Sequence, residues 1–276
     1  MDTAVTRNIT SGGDHVVASA LFPVCPFAWN IAQRGDTLDL LHSLPAHCTP
    51  LTFFDPQHRS TLDRLRFGNE GERQRGRAGL PAMSEEYIDA VCTAIARVLR
   101  PSGYMALWAD TFRLVEGHHL RIPRAALAPV DLIAWDNQRI GMGKRSRHRG
   151  DYVIVLQRPP LKARATWRDH SISSRWAEKI DLKRYPRKLY PHTKPIGLIK
   201  RLIAAVTEVG DLVVDPAAGS YTAMHAAHQL GRNFIGCDLA IKVAGERMPP
   251  LPSRRGVADC TAALSATPPL PTRTVE

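Results

Sequence analysis

The chain has 276 residues, 44% of them hydrophobic, and a formal net charge of +11. That supplies a real core for one large domain or two small ones, and it excludes a chain with too little to bury. No apolar run is long enough to cross a bilayer as a helix.

The charge is local. Residues 139–190 hold 15 of the 37 Lys+Arg and 4 of the 26 Asp+Glu, which leaves 22 of each sign elsewhere. A basic block of this kind points to a polyanionic partner, most often nucleic acid. A solvated basic surface is the competing explanation. The five cysteines are widely spaced and include no CxxC pair. This suits a reducing cytoplasm and argues against a disulfide framework or a zinc cluster. His225 and His228 read as ordinary helix residues, so no metal is expected.

In chain order, residues 1–28 form a loose arm. The stretch 15–29 imitates a signal segment, but it lacks a basic start and is broken by prolines, so secretion is rejected. A short helix is expected near 35–45, after a Gly-Asp turn. "LTFF" (51–54) reads as a buried strand, and it runs straight into Asp55-Pro56-Gln57-His58. Residues 59–80 are charged and carry glycines, which suits a long functional loop or a linker. Ser84 can cap the next helix, with Glu85 and Glu86 in its first turn and an apolar stripe through Ile88, Val91, Ile95 and Val98. "RPSG" (100–103) ends that helix, and 104–110 is the next strand. Strand, helix and strand in this order imply a parallel α/β sheet.

Two more strands are expected over 130–137 and 151–158, separated by "QRIGMGKRSRHRG". After Pro159 the basic block continues irregularly to Tyr190. Lys194-Pro195 opens a helix over 196–206, with His192 and Thr193 at its mouth. "DLVVDPAAGS" (211–220) is a strand that ends in Asp215, Pro216 and a small-residue turn. A helix with Ala223, Ala226 and Ala227 follows, and then a strand within 231–239 that ends in Asp238. Residues 249–276 are rich in Pro, Thr and Ala and should be disordered.

The stretch 211–239 has the form of a nucleoside-binding βαβ unit. Small residues Ala217, Ala218, Gly219 and Ser220 let a ligand approach the backbone, and an acid about 20 residues on, Asp238, can bind ribose hydroxyls. An acid and proline at the end of "LTFF" would ordinarily be a turn.

Together these segments resemble the β-class amino-DNA methyltransferases. "FFDPQH" stands where that family has its Asp-Pro-Pro-Tyr motif, and "DPAAGS" where it has "DPFxGSG". The "KP" helix, "GRNFIGCDL" and the segment 135–158 fall in the family's order, so the resemblance covers roughly residues 30–240. It implies a Rossmann-like, doubly wound, mostly parallel α/β sheet. The methyltransferase domain would span 29–248, with a DNA-recognition region inserted at about 139–190.

The resemblance further implies methyl transfer from S-adenosylmethionine to the N6 amine of an adenine flipped out of duplex DNA. Cytosine N4 is the alternative base, and a non-catalytic DNA-binding relative the alternative class. The catalytic set would be Asp55, Pro56, Gln57 and His58. Asp55 and the Pro56 carbonyl would accept the two amine N–H groups, and His58 would stack on the base. Cofactor contacts would come from Asp36, Phe54, Asp55, His192, Thr193, Lys194, Pro195, Asp215, Ala217, Ala218, Gly219, Ser220 and Asp238. For Asp36, a helix cap competes with this role.

DNA contacts are assigned to Arg139, Lys144, Arg145, Arg147 and Arg149. Trp167, Trp176, Tyr185 and Tyr190 either stack on bases or pack a small subdomain, and Trp135 is read as core. The family implies a homodimer. Four positions depart from its pattern: Gln57 replaces the second proline, His58 the aromatic, Ala217 a phenylalanine and Tyr221 the last glycine. Tyr221 would crowd the ligand if it pointed inward; the alternative is that it points out along the helix.

Overall fold

A computed structural model describes residues 25–57, 82–141, 146–185, 192–240 and 245–248. His58, Lys144, Arg145, Tyr190, the loop 59–80 and the tail from Pro249 therefore lie outside the described residues.

The first helix, α1 (Thr37–Ser43), is capped by Asp36. Strand β1 (Thr49–Phe54) is wholly buried. Helix α2 (Glu85–Val98) starts at Ser84, whose side chain accepts the Tyr87 N–H. Strand β2 (Leu99–Ala109) follows with no gap. "RPSG" ends α2 as expected, but β2 does not wait for Tyr104. The sheet absorbs Arg100–Gly103 as a bulge, so Thr49 pairs with Leu99 and Leu51 with Tyr104, which is how a strand carries extra residues. Ser102 takes a positive φ of 64° there.

Asp110 leaves the strand to cap a short helix, α3 (Thr111–Val115). Strands β3 (Ala128–Asp136) and β4 (Tyr152–Gln157) match the expected pair. Within the basic block lie α4 (Ala163–Thr166) and β5 (Arg175–Ala177), neither of which was expected. Helix α5 (Ile196–Val206), strand β6 (Leu212–Asp215), helix α6 (Thr222–Gln229) and strand β7 (Asn233–Gly236) complete the order.

The seven strands lie in the order β5-β3-β4-β2-β1-β6-β7. Pairs β1–β2, β1–β6, β6–β7 and β3–β5 are parallel. Only β4 runs against its neighbours, β2 and β3. Alternation along the strands feeds two cores. Phe54, Met105, Leu107, Ile154 and Val214 face α1 and α2. Leu51, Phe53, Tyr104, Trp108, Val153 and Val213 face α5 and α6.

This topology sets the site. Strands β1, β2, β6 and β7 all end at one edge of the sheet. Because β4 runs the other way, its first residue, Tyr152, pairs with Ala109 at the end of β2. The basic segment before β4 therefore arrives at the edge where Asp55, Asp215 and Asp238 stand. In open α/β sheets this carboxyl edge is where ligands bind.

Candidate active site

Asp55 leaves β1 half-buried, and Pro56 behind it is buried. The Asp55 Oδ2 lies 2.9 Å from Lys194 Nζ. The same ammonium lies 3.4 Å from Asp151 Oδ2 and 5.0 Å from the centre of the Trp108 ring. Asp151 Oδ1 is in turn 3.5 Å from His148 Nε2. Asp55, Lys194, Asp151 and His148 thus form one chain of ionisable groups.

Their titration follows from it. Burial by itself would lower Lys194, but Asp55 and Asp151 overrule it and raise the ammonium above its ordinary value. Burial by itself would raise Asp151, yet Lys194 and His148 bring it down to about 2. The contact with Asp151 raises His148 against the effect of its own burial.

Lys194 is fixed from its backbone as well. Helix α5 begins at Pro195, which has no side chain to cap it. Glu178 supplies the cap from just beyond β5: its carboxylate accepts from Gly197 N at 2.8 Å, Leu198 N at 3.0 Å and the Trp176 indole at 2.7 Å. A carboxylate at a helix N-terminus satisfies orphan N–H groups and the helix dipole together. The Trp135 indole binds the Glu178 carbonyl at 2.9 Å. Trp135 is buried and packs edge-on against Trp108 at 6.0 Å, in keeping with its reading as core. Glu178 and Trp108 were not singled out in the sequence. Thr193 is buried and His192 exposed.

The second part of the site is the turn after β6. Asp215 is buried, and its Oδ1 accepts from Ala217 N at 3.4 Å. Burial, with Asp55 and Asp238 adding their charge, pushes the Asp215 carboxyl up to about 8 against the bond from Ala217. Ala218 N donates to the Cys237 carbonyl at 2.9 Å. Gly219 has a φ of +51°, and a Cβ built there would meet nothing within 4 Å. Its N–H donates to Asp238 Oδ2 at 3.0 Å. Ser220 Oγ lies 2.8 Å from Thr222 Oγ1. The turn is therefore open on its Gly219 side and braced by an acid on the next strand.

Three expectations are corrected or narrowed. Phe54 is fully buried in the core beside α1, because β1 alternates and places it there, so its side chain does not face the site. Asp36 takes the cap role: Oδ1 accepts from Leu38 N at 2.8 Å, and Oδ2 accepts the Tyr87 hydroxyl at 2.8 Å. Tyr221 does not point out along its helix. It is fully buried against Phe234, and its hydroxyl donates to the Gln33 carbonyl at 2.7 Å. Its φ of 54° is the left-handed conformation that a glycine would adopt here.

The described part of the basic block joins the same edge. Arg139 N donates to Asn137 Oδ1, Arg147 reaches the Gly141 carbonyl at 3.2 Å, and Arg149 pairs with Asp136 at 2.8 Å. Near Asp55, the Gln57 carbonyl accepts from Met83 N at 2.6 Å, so the chain leaves the site and returns to it at one point. Among the described residues, no group of His, Cys, Asp and Glu side chains could hold a metal ion, and no helix is long and apolar enough to cross a membrane.

An open α/β sheet with a small-residue turn, an acid on the following strand and an acid–proline loop beside them defines a nucleoside-using α/β protein. Residues 84–244 match the N6/N4 family described as DNA methylase. The type II methyltransferase M.HhaII of Haemophilus parahaemolyticus is 45% identical over 212 residues, covering 76% of this chain and 91% of that protein. The DNA adenine methyltransferase YhdJ of Escherichia coli K12 is 46% identical over 241 residues, covering 75% and 77%. The chain belongs to the N6/N4 DNA methylase family.

Solved structures agree in fold. The cytosine-N4-specific PvuII DNA methyltransferase superposes with a TM-score of 0.55 at 16% identity, covering 77% of this chain and 86% of that one. A protein of Thermus thermophilus described as a DNA modification methylase, complexed with S-adenosyl-L-methionine, gives 0.53 at 18% identity, covering 76% and 88%.

Proposed function

We propose that the chain methylates the N6 amine of adenine in duplex DNA, with S-adenosylmethionine as donor. The observation that carries this reading is the placement of Asp55, held 2.9 Å from Lys194, at the same sheet edge as the open Gly219 turn.

The residues present fit the cofactor. Space beside Gly219 admits a ligand close to the backbone. Asp238, which accepts the Gly219 N–H, stands where a ribose acid belongs. Asp55 and Asp238 give the pocket an anionic character that suits a sulfonium and an α-ammonium, while Asp215, pushed up to about 8, adds a carboxyl that keeps its proton near neutral pH. When bound, S-adenosylmethionine supplies an activated methyl group. Lys194 lies beside Asp55 and Asp151, so its role in this reading is to hold the acceptor.

An adenine amine is a weak nucleophile because its lone pair is delocalised into the ring. The Asp55 carboxylate accepts one amine N–H, and the Pro56 carbonyl accepts the other. Pro56 has no N–H of its own to compete. Both acceptors favour a tetrahedral nitrogen and aim its lone pair, so positioning and electrostatics carry the step. With the donor bound, the amine nitrogen would take its methyl group, and Asp55, which already accepts one amine N–H, would take the proton the nitrogen releases and pass it to solvent.

Adenine is preferred for two reasons. The residue at the first motif position is Asp, and the relative YhdJ is named an adenine methyltransferase. Arg139, Arg147 and Arg149 lie at the site edge, where phosphate contacts would set the register on DNA. A homodimer belongs to this reading, and light scattering tests it.

The deciding experiment incubates the protein with unmethylated duplex DNA and S-adenosylmethionine, digests the DNA to nucleosides and identifies products by mass spectrometry. N6-methyladenine is expected. N4-methylcytosine would overturn the base assignment, and the absence of any methylated product would overturn the enzymatic reading.

A further inference from the structure

We propose that Asp151 is a positioning residue for the Asp55 carboxylate, acting through Lys194. The inference rests on the reading of Asp55 as acceptor of the substrate amine.

Lysine is a compact charge on a flexible stem with three donors. Such a group holds a carboxylate in one geometry only when its own place is fixed. Here the Lys194 ammonium has three neighbours: Asp55 Oδ2 at 2.9 Å, Asp151 Oδ2 at 3.4 Å and the Trp108 ring at 5.0 Å. Asp151 is well suited to anchor it. Its carbonyl accepts from Trp135 N at 2.8 Å at the start of β4, so its backbone is part of the sheet.

Two carboxylates divide the pull of one ammonium. Without Asp151, Lys194 has Asp55 as its one close anion among these groups, and the pair can close onto whichever oxygen the substrate needs. The ammonium would then compete with the amine for the Asp55 lone pairs. Shared between Asp55 and Asp151, Lys194 fixes the carboxylate from behind and leaves its outer face to the base. The free oxygen of Asp151 faces His148 at 3.5 Å. His148 sits between Arg147 and Arg149, so the charge chain ends in the basic segment.

The test measures kcat and KM for methyl transfer by Asp151→Asn, singly and combined with Lys194→Met. Displacement of an aligned group by about 1 Å can cost about 100-fold. D151N is expected to lose about 10- to 100-fold in kcat, with KM for DNA and for S-adenosylmethionine within about twofold. In the K194M background, D151N should add little. Independent, multiplying losses would assign Asp151 a role outside Lys194 and overturn the proposal, as would wild-type kcat in D151N.

If D151N does not fold, Asp151→Ser carries the same test. Reduced kcat at unchanged KM supports the proposal, and full kcat overturns it. A wild-type protein without methylated product fails the underlying reading instead. An active wild type, an inactive Asp55→Ala and an unimpaired D151N fail this inference alone.

Discussion

The Tyr221 hydroxyl donates to the Gln33 carbonyl at 2.7 Å and accepts the Gln33 N–H at 3.1 Å. One side chain thus closes both main-chain groups of a residue far away in sequence. Gln33 in turn binds Asp238 N through that carbonyl at 3.2 Å. Tyr221 occupies the place of a motif glycine, takes a glycine's backbone conformation and turns its ring into the core. Restoring glycine should therefore harm the protein. Tyr221→Gly is expected to lose about 3–5 kcal/mol, as for removal of a large buried aromatic. Tyr221→Phe keeps the ring and should lose about 1–3 kcal/mol for the unpaired groups. Urea unfolding of both variants checks the order.

Glu178 stands in for the cap that Pro195 cannot provide. Glu178→Ala leaves the N–H groups of Gly197 and Leu198 and the Trp176 indole without this partner. A loss of about 1–3 kcal/mol in unfolding free energy is expected. Hydrogen exchange should localise the change to the first turn of α5 and to β5.

Gly219 faces open space but has a positive φ. Gly219→Ala should cost about 1–2 kcal/mol of backbone strain. Under the proposed function its methyl group also enters the cofactor's path. Affinity for S-adenosylmethionine, measured by calorimetry, is expected to fall by about tenfold or more, which corresponds to about 1.4 kcal/mol.

Asp215 gives a pH signature. Its carboxyl lies at about 8 in the folded chain, far above the ordinary value of 3.8. Between these limits the folded state holds a proton that the unfolded state has released. Stability of the ligand-free protein should therefore fall as pH rises through this window, by at most about 1.4 kcal/mol per pH unit. Asp215→Asn removes the titration and should flatten the curve. Denaturant unfolding of both proteins at about pH 5 and pH 8 checks the sign.

The helices and strands that repeat their apolar residues over several turns or pleats were legible in the sequence. Helix α5 begins and ends where its periodicity does. Helices α3 and α4 and strand β5 have five, four and three residues, too few to display a period. Strand β5 is defined by its neighbours, since Trp135 and Trp176 pair across it.

Within the site, Asp55, Asp215 and Asp238 were visible because each is an acid that ends an apolar run. Asp151 was not. It precedes a strand, and it reaches the site because β4 runs backwards, a fact of topology that no local pattern carries. The direction of the Tyr221 ring was not legible for a related reason: a left-handed backbone swings the side chain away from the direction that helical spacing implies.

The gathering of acids at one edge of the sheet also leaves a free side for handling the molecule. The turn between α5 and β6 lies at the opposite edge, and Val209 there is 61% exposed. The four described cysteines are all buried. With Cys260 replaced by serine, a Val209→Cys thiol becomes the natural attachment point for a dye or a surface linker. A molecule tethered there would present its whole chemical edge outward, toward any DNA offered to it.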